Sequence, residues 1–185
     1  MKIIIDTSSL LSLVRYYLPF DKDGVLYDYI KLKYESGEII VLDRVFDECI
    51  RVAGGLVLKK LLYLKDKKLH YNTTNILPDN NFFDLLESKF LNPGIKNILP
   101  PAEFENRKNN YLNLEADSKI ILLSLKHKEA DNLDNLSIVS EETPSNNDKK
   151  PFKKIPAICN ILYLDFMTLP ELLNKYEGIN IKFHT

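Results

Sequence analysis

The stretch IIIDTSSLL, from Ile3 to Leu11, decides how the start of the chain folds. Three consecutive β-branched residues are typical of a short strand that is buried on both faces. The segment Ser8–Leu18 then repeats apolar residues at helical spacing until Pro19 ends it. A buried strand that runs directly into a helix is the opening of a parallel α/β unit, and Asp6 lies at the junction.

The same alternation continues along the chain. Further strands are predicted at Ile39–Leu42, Ser137–Ser140 and Leu162–Leu164. Further helices are predicted at Val25–Lys33, Arg44–Ala53, Leu56–Lys65, Phe82–Phe90, Asn113–Lys128, Pro156–Ile161 and Pro170–Tyr176. This order predicts an α/β fold with a central, mostly parallel sheet of about four to five strands, flanked by helices on both sides.

Composition limits the class of protein. The 185 residues are 45% hydrophobic and 28% charged, which predicts a single domain over residues 1–185. The net charge of -1 means that any attraction to nucleic acid must come from local basic patches. No apolar run approaches the ~20 residues that span a bilayer, so we expect no membrane association. The two cysteines have no CxxC spacing, which favours reduced thiols and a cytoplasmic location.

Acidic residues follow the predicted strands. Asp6 ends the first, Asp43 ends the second with Asp47 and Glu48 on the next helix, and Glu141–Glu142 follow the third. Ligands of parallel sheets gather outside the carboxyl ends of the strands, so we expect these acids to converge. Carboxylates without histidine or cysteine form an oxygen-donor site that suits Mg²⁺ or Mn²⁺.

Asp117 supplies another candidate ligand. It lies in the first turn of a helix that is apolar around most of its circumference, so we expect that helix to be largely buried. A buried carboxylate is unfavourable unless a partner compensates its charge. A metal ion would be such a partner.

Taken in order, these blocks resemble the PIN-domain ribonuclease family. Asp6-Thr7-Ser8 resembles its first block, Val45-Phe46-Asp47-Glu48 its second, EADSKIILLSL with Asp117 its third, and Ser140-Glu141-Glu142 its last. The tail KKPFKKIPAICNILYLDFMTLPELL is similar to a PIN-like subgroup of uncharacterised bacterial proteins. Two features depart from the family pattern: Glu142 stands where aspartate is usual, and the chain carries extra length, an insertion at about 68–111.

The resemblance implies a metal-dependent endoribonuclease in which a metal-activated water cleaves RNA. Its catalytic residues would be Asp6, Glu48, Asp117 and Glu142, which would hold Mg²⁺ or Mn²⁺, with Glu141 as a further candidate ligand. Many relatives are toxins of toxin–antitoxin pairs, so the resemblance implies an antitoxin-like protein partner. Relatives also often dimerise, so it implies a homodimer as well.

Substrate contacts are expected from hydroxyl groups near the acids and from a basic cluster that follows the last of them. These residues are Thr7, Ser8, Ser140, Lys149, Lys150, Lys153 and Lys154. Lysines bind phosphates without reading sequence. The alternative interpretation of the cluster is a solvated face.

Each acid also has a simpler interpretation. Asp6 would serve as a cap at the start of a helix, Asp117 as a partner of the helix dipole, and Glu141–Glu142 as ordinary loop acids. Asp47 and Glu48 would be a solvated pair of acids. Both lie at the border of the apolar helix face, so periodicity does not separate them. Only the family pattern favours Glu48.

Two other functions compete with a nuclease. Phosphatases of the haloacid dehalogenase kind also place an aspartate after the first strand, but they need a second acid two residues later, where this chain has Ser8. The non-enzymatic alternative is a PIN-like fold without metals that serves as a binding or interaction module.

Overall fold

A computed structural model describes residues 1–96, 98–130, 136–143 and 150–176. Its four strands are β1 (Lys2–Ile5), β2 (Ile39–Ile40), β3 (Leu136–Val139) and β4 (Phe166–Met167). They form one sheet in the order β2-β1-β3-β4, and every neighbouring pair is parallel. The predicted α/β class with a parallel sheet is therefore confirmed.

Both faces of the sheet are covered. Consecutive side chains of a strand point to opposite faces, and Ile3, Ile4 and Ile5 of β1 are all fully buried. In β3, Ser137, Ile138 and Val139 are likewise buried. The uninterrupted isoleucine run thus reflects a central strand between two layers of helices.

Ten α-helices surround the sheet in the described part of the chain. They are α1 (Thr7–Ser12), α2 (Val25–Glu35), α3 (Asp43–Arg51), α4 (Leu56–Lys60), α5 (Asn80–Leu85), α6 (Pro93–Lys96), α7 (Pro101–Asn113), α8 (Ala116–Glu129), α9 (Ile155–Leu162) and α10 (Leu169–Lys175). Short π-helical segments extend α1 through Leu13–Tyr17 and α5 through Leu86–Phe90.

Several predicted elements differ from the structure, among them the helix predicted at Leu56–Lys65, of which only Leu56–Lys60 is α-helical and Leu62–Lys65 is a 3₁₀-helix. The strand predicted at Leu162–Leu164 is wrong: α9 extends to Leu162, Tyr163 ends it in the left-handed conformation, and β4 follows at Phe166–Met167. Helix α7 was not predicted, and the helix predicted from Asn113 begins at Ala116. Strand β4 is only two residues long, and the apolar pattern of the sequence is too short there to predict where the strand lies.

The insertion expected at about 68–111 contributes side chains to the same hydrophobic core as the sheet. Phe82, Leu86 and Phe90 are buried there together with β1 and β3. Tyr71 pairs with Leu42 beyond the end of β2, and Leu91 pairs with Phe152 in an antiparallel bridge. The segment is therefore joined to the sheet edge and to the chain that follows β3.

No helix in the described residues combines the length and the apolar character that crossing a bilayer requires.

Candidate functional site

A cleft of about 600 Å³ opens outside the carboxyl ends of the central strands. The chain leaves β1 toward β2 on one side and returns to β3 on the other, so the strand order reverses between β1 and β3. Such switch points are where ligands bind in open parallel sheets. The cleft is lined by Asp6, Thr7, Ser8, Leu11, Glu48, Val52, Arg107, Tyr111, Glu115, Asp117, Glu142, Lys150, Pro151, Phe152, Lys153 and Lys154.

Asp6 is held at the bottom of the cleft by several hydrogen bonds. It is only 4% exposed and caps α1, accepting from the Ser9 amide at 2.7 Å and from the Ser8 hydroxyl at 2.8 Å. Ser140, just after β3, donates from its hydroxyl to the Asp6 carboxylate at 2.8 Å. Burial raises the pKa of Asp6, and these hydrogen bonds oppose that rise.

Glu48 projects into the cleft from α3. Its carboxylate accepts a hydrogen bond from the Thr7 hydroxyl at 2.7 Å and from the Ala116 amide, the first of α8, at 3.1 Å. The neighbouring acid, Asp47, lies 3.7 Å from the Arg44 guanidinium and does not line the cleft. The structure thus separates two acids that helical periodicity leaves equivalent.

Asp117 has unfavourable electrostatic surroundings. Burial raises its pKa well above the usual range, and the charges of Glu142, Glu48 and Asp6 raise it further, while Lys150 lowers it. Within the described residues its carboxylate makes no hydrogen bond or ion pair. The charged form of Asp117 is therefore unfavourable in this cleft, and the nearby Lys150 offsets that only in part.

The two acids after β3 point in different directions. Glu142 lines the cleft and accepts a hydrogen bond from the Ile155 amide, the first of α9, at 3.2 Å. The Glu141 carboxylate instead accepts from the Leu169 amide at the start of α10, at 2.6 Å. The structure does not place Glu141 with the cleft acids.

Helix N-termini account for how several carboxylates are accommodated together. Asp6 caps α1, Glu48 accepts from the first amide of α8, and Glu142 accepts from the first amide of α9. The positive end of a helix dipole favours a nearby carboxylate in its charged form. Asp117 lies in the first turn of α8, so the dipole of its own helix acts on it, but its carboxylate accepts no hydrogen bond from a described residue.

The predicted substrate hydroxyls are engaged by the acids themselves. Thr7 donates to Glu48, while Ser8 and Ser140 donate to Asp6. Ser140 also accepts from the Glu142 amide at 3.2 Å. In this structure the three hydroxyls orient carboxylates.

We call residues 150–154 the basic strap, because they run along the rim of the cleft. Lys150, Lys153 and Lys154 all line the cleft, and Lys149 lies outside the described residues. The Lys153 ammonium donates to the carbonyls of Lys89 and Leu91, and burial lowers its pKa.

Sequence reasoning missed Arg107, Tyr111 and Glu115. Arg107 and Tyr111 lie one turn apart on α7, a helix that was not predicted, and Glu115 precedes α8. The spacing of four residues between Arg107 and Tyr111 is the one sequence signal that places these two on a common helix face, and it does not extend to Glu115, which lies between the two helices. Tyr111 is 1% exposed, and its ring stacks on Phe152 with the centroids 4.3 Å apart.

The chemistry of the donors fits a hard divalent cation, since the converging groups are carboxylates. As the side chains stand, however, the described residues contain no group of three or more acids, histidines or cysteines arranged to hold a metal ion. Binding would thus require the carboxylates to move closer or to act through water. Burial raises the pKa of Cys49 and Cys159 to about 12, which leaves both thiols protonated.

In comparisons with known proteins, the chain matches no family model, no curated protein and no solved structure. The resemblance to PIN-domain ribonucleases rests on the motifs alone.

Proposed function

We propose that the chain is a metal-dependent endoribonuclease that hydrolyses RNA phosphodiester bonds with Mg²⁺ or Mn²⁺. The observation that supports this most is the convergence of Asp6, Glu48, Asp117 and Glu142 at the switch point, where the negative charge of Asp117 is unfavourable despite the nearby Lys150. A divalent cation would neutralise that charge. The preference for RNA comes from the motif resemblance, and the lysines along the cleft favour a phosphate-bearing substrate.

The four acids have distinct supporting roles in this proposal. Asp6 and Glu48 are oriented by hydroxyl and amide donors, Glu142 by the start of α9, and Asp117 is free to turn toward a cation. A bound divalent cation supplies Lewis acidity and a more acidic water. Lys150, whose charge acts on Asp117, lies where a phosphate would meet the acids.

A binding module without catalysis is the second candidate. The observation in its favour is that helix N-termini already satisfy three of the acids, and that no close ligand set exists among the described residues. An antitoxin-like partner and a homodimer, which the resemblance suggests, stay predictions.

The first test compares two adjacent acids on α3. Wild type should gain about 3–5 °C in Tm at Mn²⁺ concentrations near ten times Kd, relative to EDTA. Glu48→Gln should lose most of that gain and lower RNA cleavage by about 100-fold, because a cleft ligand is removed. The matched control is Asp47→Asn, which removes a charge outside the cleft and should behave as wild type.

Two results would contradict the proposal. One is a wild-type protein whose Tm does not respond to Mn²⁺. The other is an equal response of Glu48→Gln and Asp47→Asn. Either result would favour the binding module, for which pull-down of partners is the next experiment.

A further inference from the structure

One polar group in the cleft has no explanation in the fold. The Tyr111 hydroxyl is buried, and it has no hydrogen-bond partner among the described residues. The stack on Phe152 accounts for the position of the ring, but phenylalanine would fill the same space. Burying a hydroxyl without a hydrogen-bond partner is unfavourable, so packing alone does not explain why this residue is tyrosine.

The surroundings of this hydroxyl are acidic. After burial, the charges of Asp117, Glu115 and Glu142 have the largest effects on it, in that order, and all raise its pKa well above the usual value. The phenol therefore keeps its proton and acts as a hydrogen-bond donor. Asp117, the acid with the strongest influence, is also the cleft acid that lacks a donor within the described residues.

The other cleft acids show what is missing at Asp117. Thr7 donates a hydroxyl to Glu48, and Ser8 and Ser140 donate hydroxyls to Asp6. These donors fix the orientation of each carboxylate. Tyr111 is a hydroxyl of the same kind, which lines the same cleft from α7.

We propose that Tyr111 is the positioning residue for Asp117, its hydroxyl donating to the carboxylate directly or through one water when the cleft binds a divalent cation. This inference rests on the proposed metal-dependent function. It adds a residue outside the four motif blocks, from a helix in the segment taken as an insertion. Hydrogen-bonding partners of metal ligands orient those ligands and contribute to metal affinity.

The test is Tyr111→Phe, with Tyr34→Phe as the matched control. Tyr34 is also a buried tyrosine whose hydroxyl has no partner in the described residues, but it packs on Tyr63 and does not line the cleft. Calorimetric titration with MnCl₂ should show about tenfold weaker binding for Tyr111→Phe. Tyr34→Phe should bind Mn²⁺ within about twofold of wild type, because it leaves the cleft unchanged.

A kinetic measurement separates positioning from packing. If the hydroxyl acts through Asp117, Tyr111→Phe should need about tenfold more Mn²⁺ for half-maximal RNA cleavage, with the KM for RNA unchanged. Excess Mn²⁺ should restore its cleavage rate. A raised KM for RNA at saturating Mn²⁺ would overturn the inference, because it would place the hydroxyl on the substrate.

The remaining outcomes distinguish this inference from the function on which it rests. Wild-type Mn²⁺ affinity in Tyr111→Phe would overturn the role of Tyr111 and leave the metal-dependent function standing. A wild-type protein that does not bind Mn²⁺ would overturn both. A Tyr111→Phe chain that fails to fold while Tyr34→Phe folds would make the hydroxyl structural and would also overturn the inference.

Discussion

Strand β1 is followed at once by Asp6, and strand β2 is followed three residues later by Asp43, yet the two carboxylates have different surroundings. Asp6 faces the cleft between β1 and β3. Asp43 lies beyond the edge strand, where it accepts from the Thr73 hydroxyl at 2.6 Å, the Thr73 amide at 3.1 Å and the Arg44 amide at 2.8 Å.

The difference teaches that the position of a strand in the sheet decides what the acid after it can do. Only the ends of β1 and β3 border the point where the strand order reverses, and a crevice opens there. Beyond the end of β2, Leu42 pairs with Tyr71 instead, and Asp43 accepts a hydrogen bond from Thr73, which holds the segment around Tyr71 in place. The expectation that Asp43 would join the other acids was wrong for this reason.

The largest stability effect is expected from Asp43→Ala. It should lower the free energy of unfolding by about 2 kcal/mol, because the amide and hydroxyl of Thr73 and the Arg44 amide lose their acceptor. The measurement is urea denaturation in EDTA. The Mn²⁺-induced rise in Tm should remain, because the cleft is untouched. Loss of that rise in Tm would mean that Asp43 also contributes to the cleft, which would contradict the contrast between Asp6 and Asp43.

Asp117→Asn should have the opposite effect on stability. Folding raises the pKa of the Asp117 carboxyl, so the folded state binds this proton more tightly than the unfolded state. The free energy of unfolding of wild type therefore falls as the pH rises above the unfolded pKa of about 4. Removing the charge should therefore stabilise the protein in EDTA at neutral pH by about 1 kcal/mol, as often occurs at functional sites. The advantage over wild type should vanish as pH falls below about 4.

The measurement is thermal unfolding of both proteins from acid to neutral pH. An Asp117→Asn protein that is less stable than wild type at neutral pH would mean that Asp117 has a structural partner. The same variant should lose the stabilisation by Mn²⁺.

The smallest effect is expected at the end of β3, where two neighbouring acids diverge. Glu141→Gln should change stability by no more than about 0.5 kcal/mol, since glutamine still accepts from the Leu169 amide. It should also leave the Mn²⁺ response unchanged, whereas Glu142→Gln should weaken it. Thermal denaturation with and without Mn²⁺ measures the stability and the Mn²⁺ response of each variant. Equal Mn²⁺ responses would contradict the prediction that Glu142, and not Glu141, acts in the cleft.

Much of the fold could be predicted, because three isoleucines in a row indicate a strand covered on both faces. The two-residue strand β4 was misplaced because a run that short carries little periodicity. Helix α7 was missed since it begins after Pro100 and buries only Phe104, Tyr111 and Leu112 in a largely polar sequence.

The candidate site divides in a similar way. The positions of Asp6 and Asp117 in the cleft follow from their places after a strand and at the start of a helix. The place after β3 does not distinguish Glu142 from Glu141, and only the family pattern favours Glu142. Glu48 could not be told from Asp47, because the choice depends on Thr7 and on the first amide of α8, which are distant in sequence. Tyr111 could not be found, because its neighbours in space come from the basic strap and from α8.

The antiparallel bridge between Leu91 and Phe152 has a consequence for engineering. The backbone amide of Asn92 donates to the Pro151 carbonyl at 2.8 Å, and the backbone amide of Lys153 donates to the Phe90 carbonyl at 2.8 Å. These hydrogen bonds join the basic strap to residues 90–92. A minimal version of this domain that deletes the insertion would release one wall of the cleft. Loop grafts between this chain and shorter proteins would therefore have to exchange residues 89–92 and 150–154 as one unit.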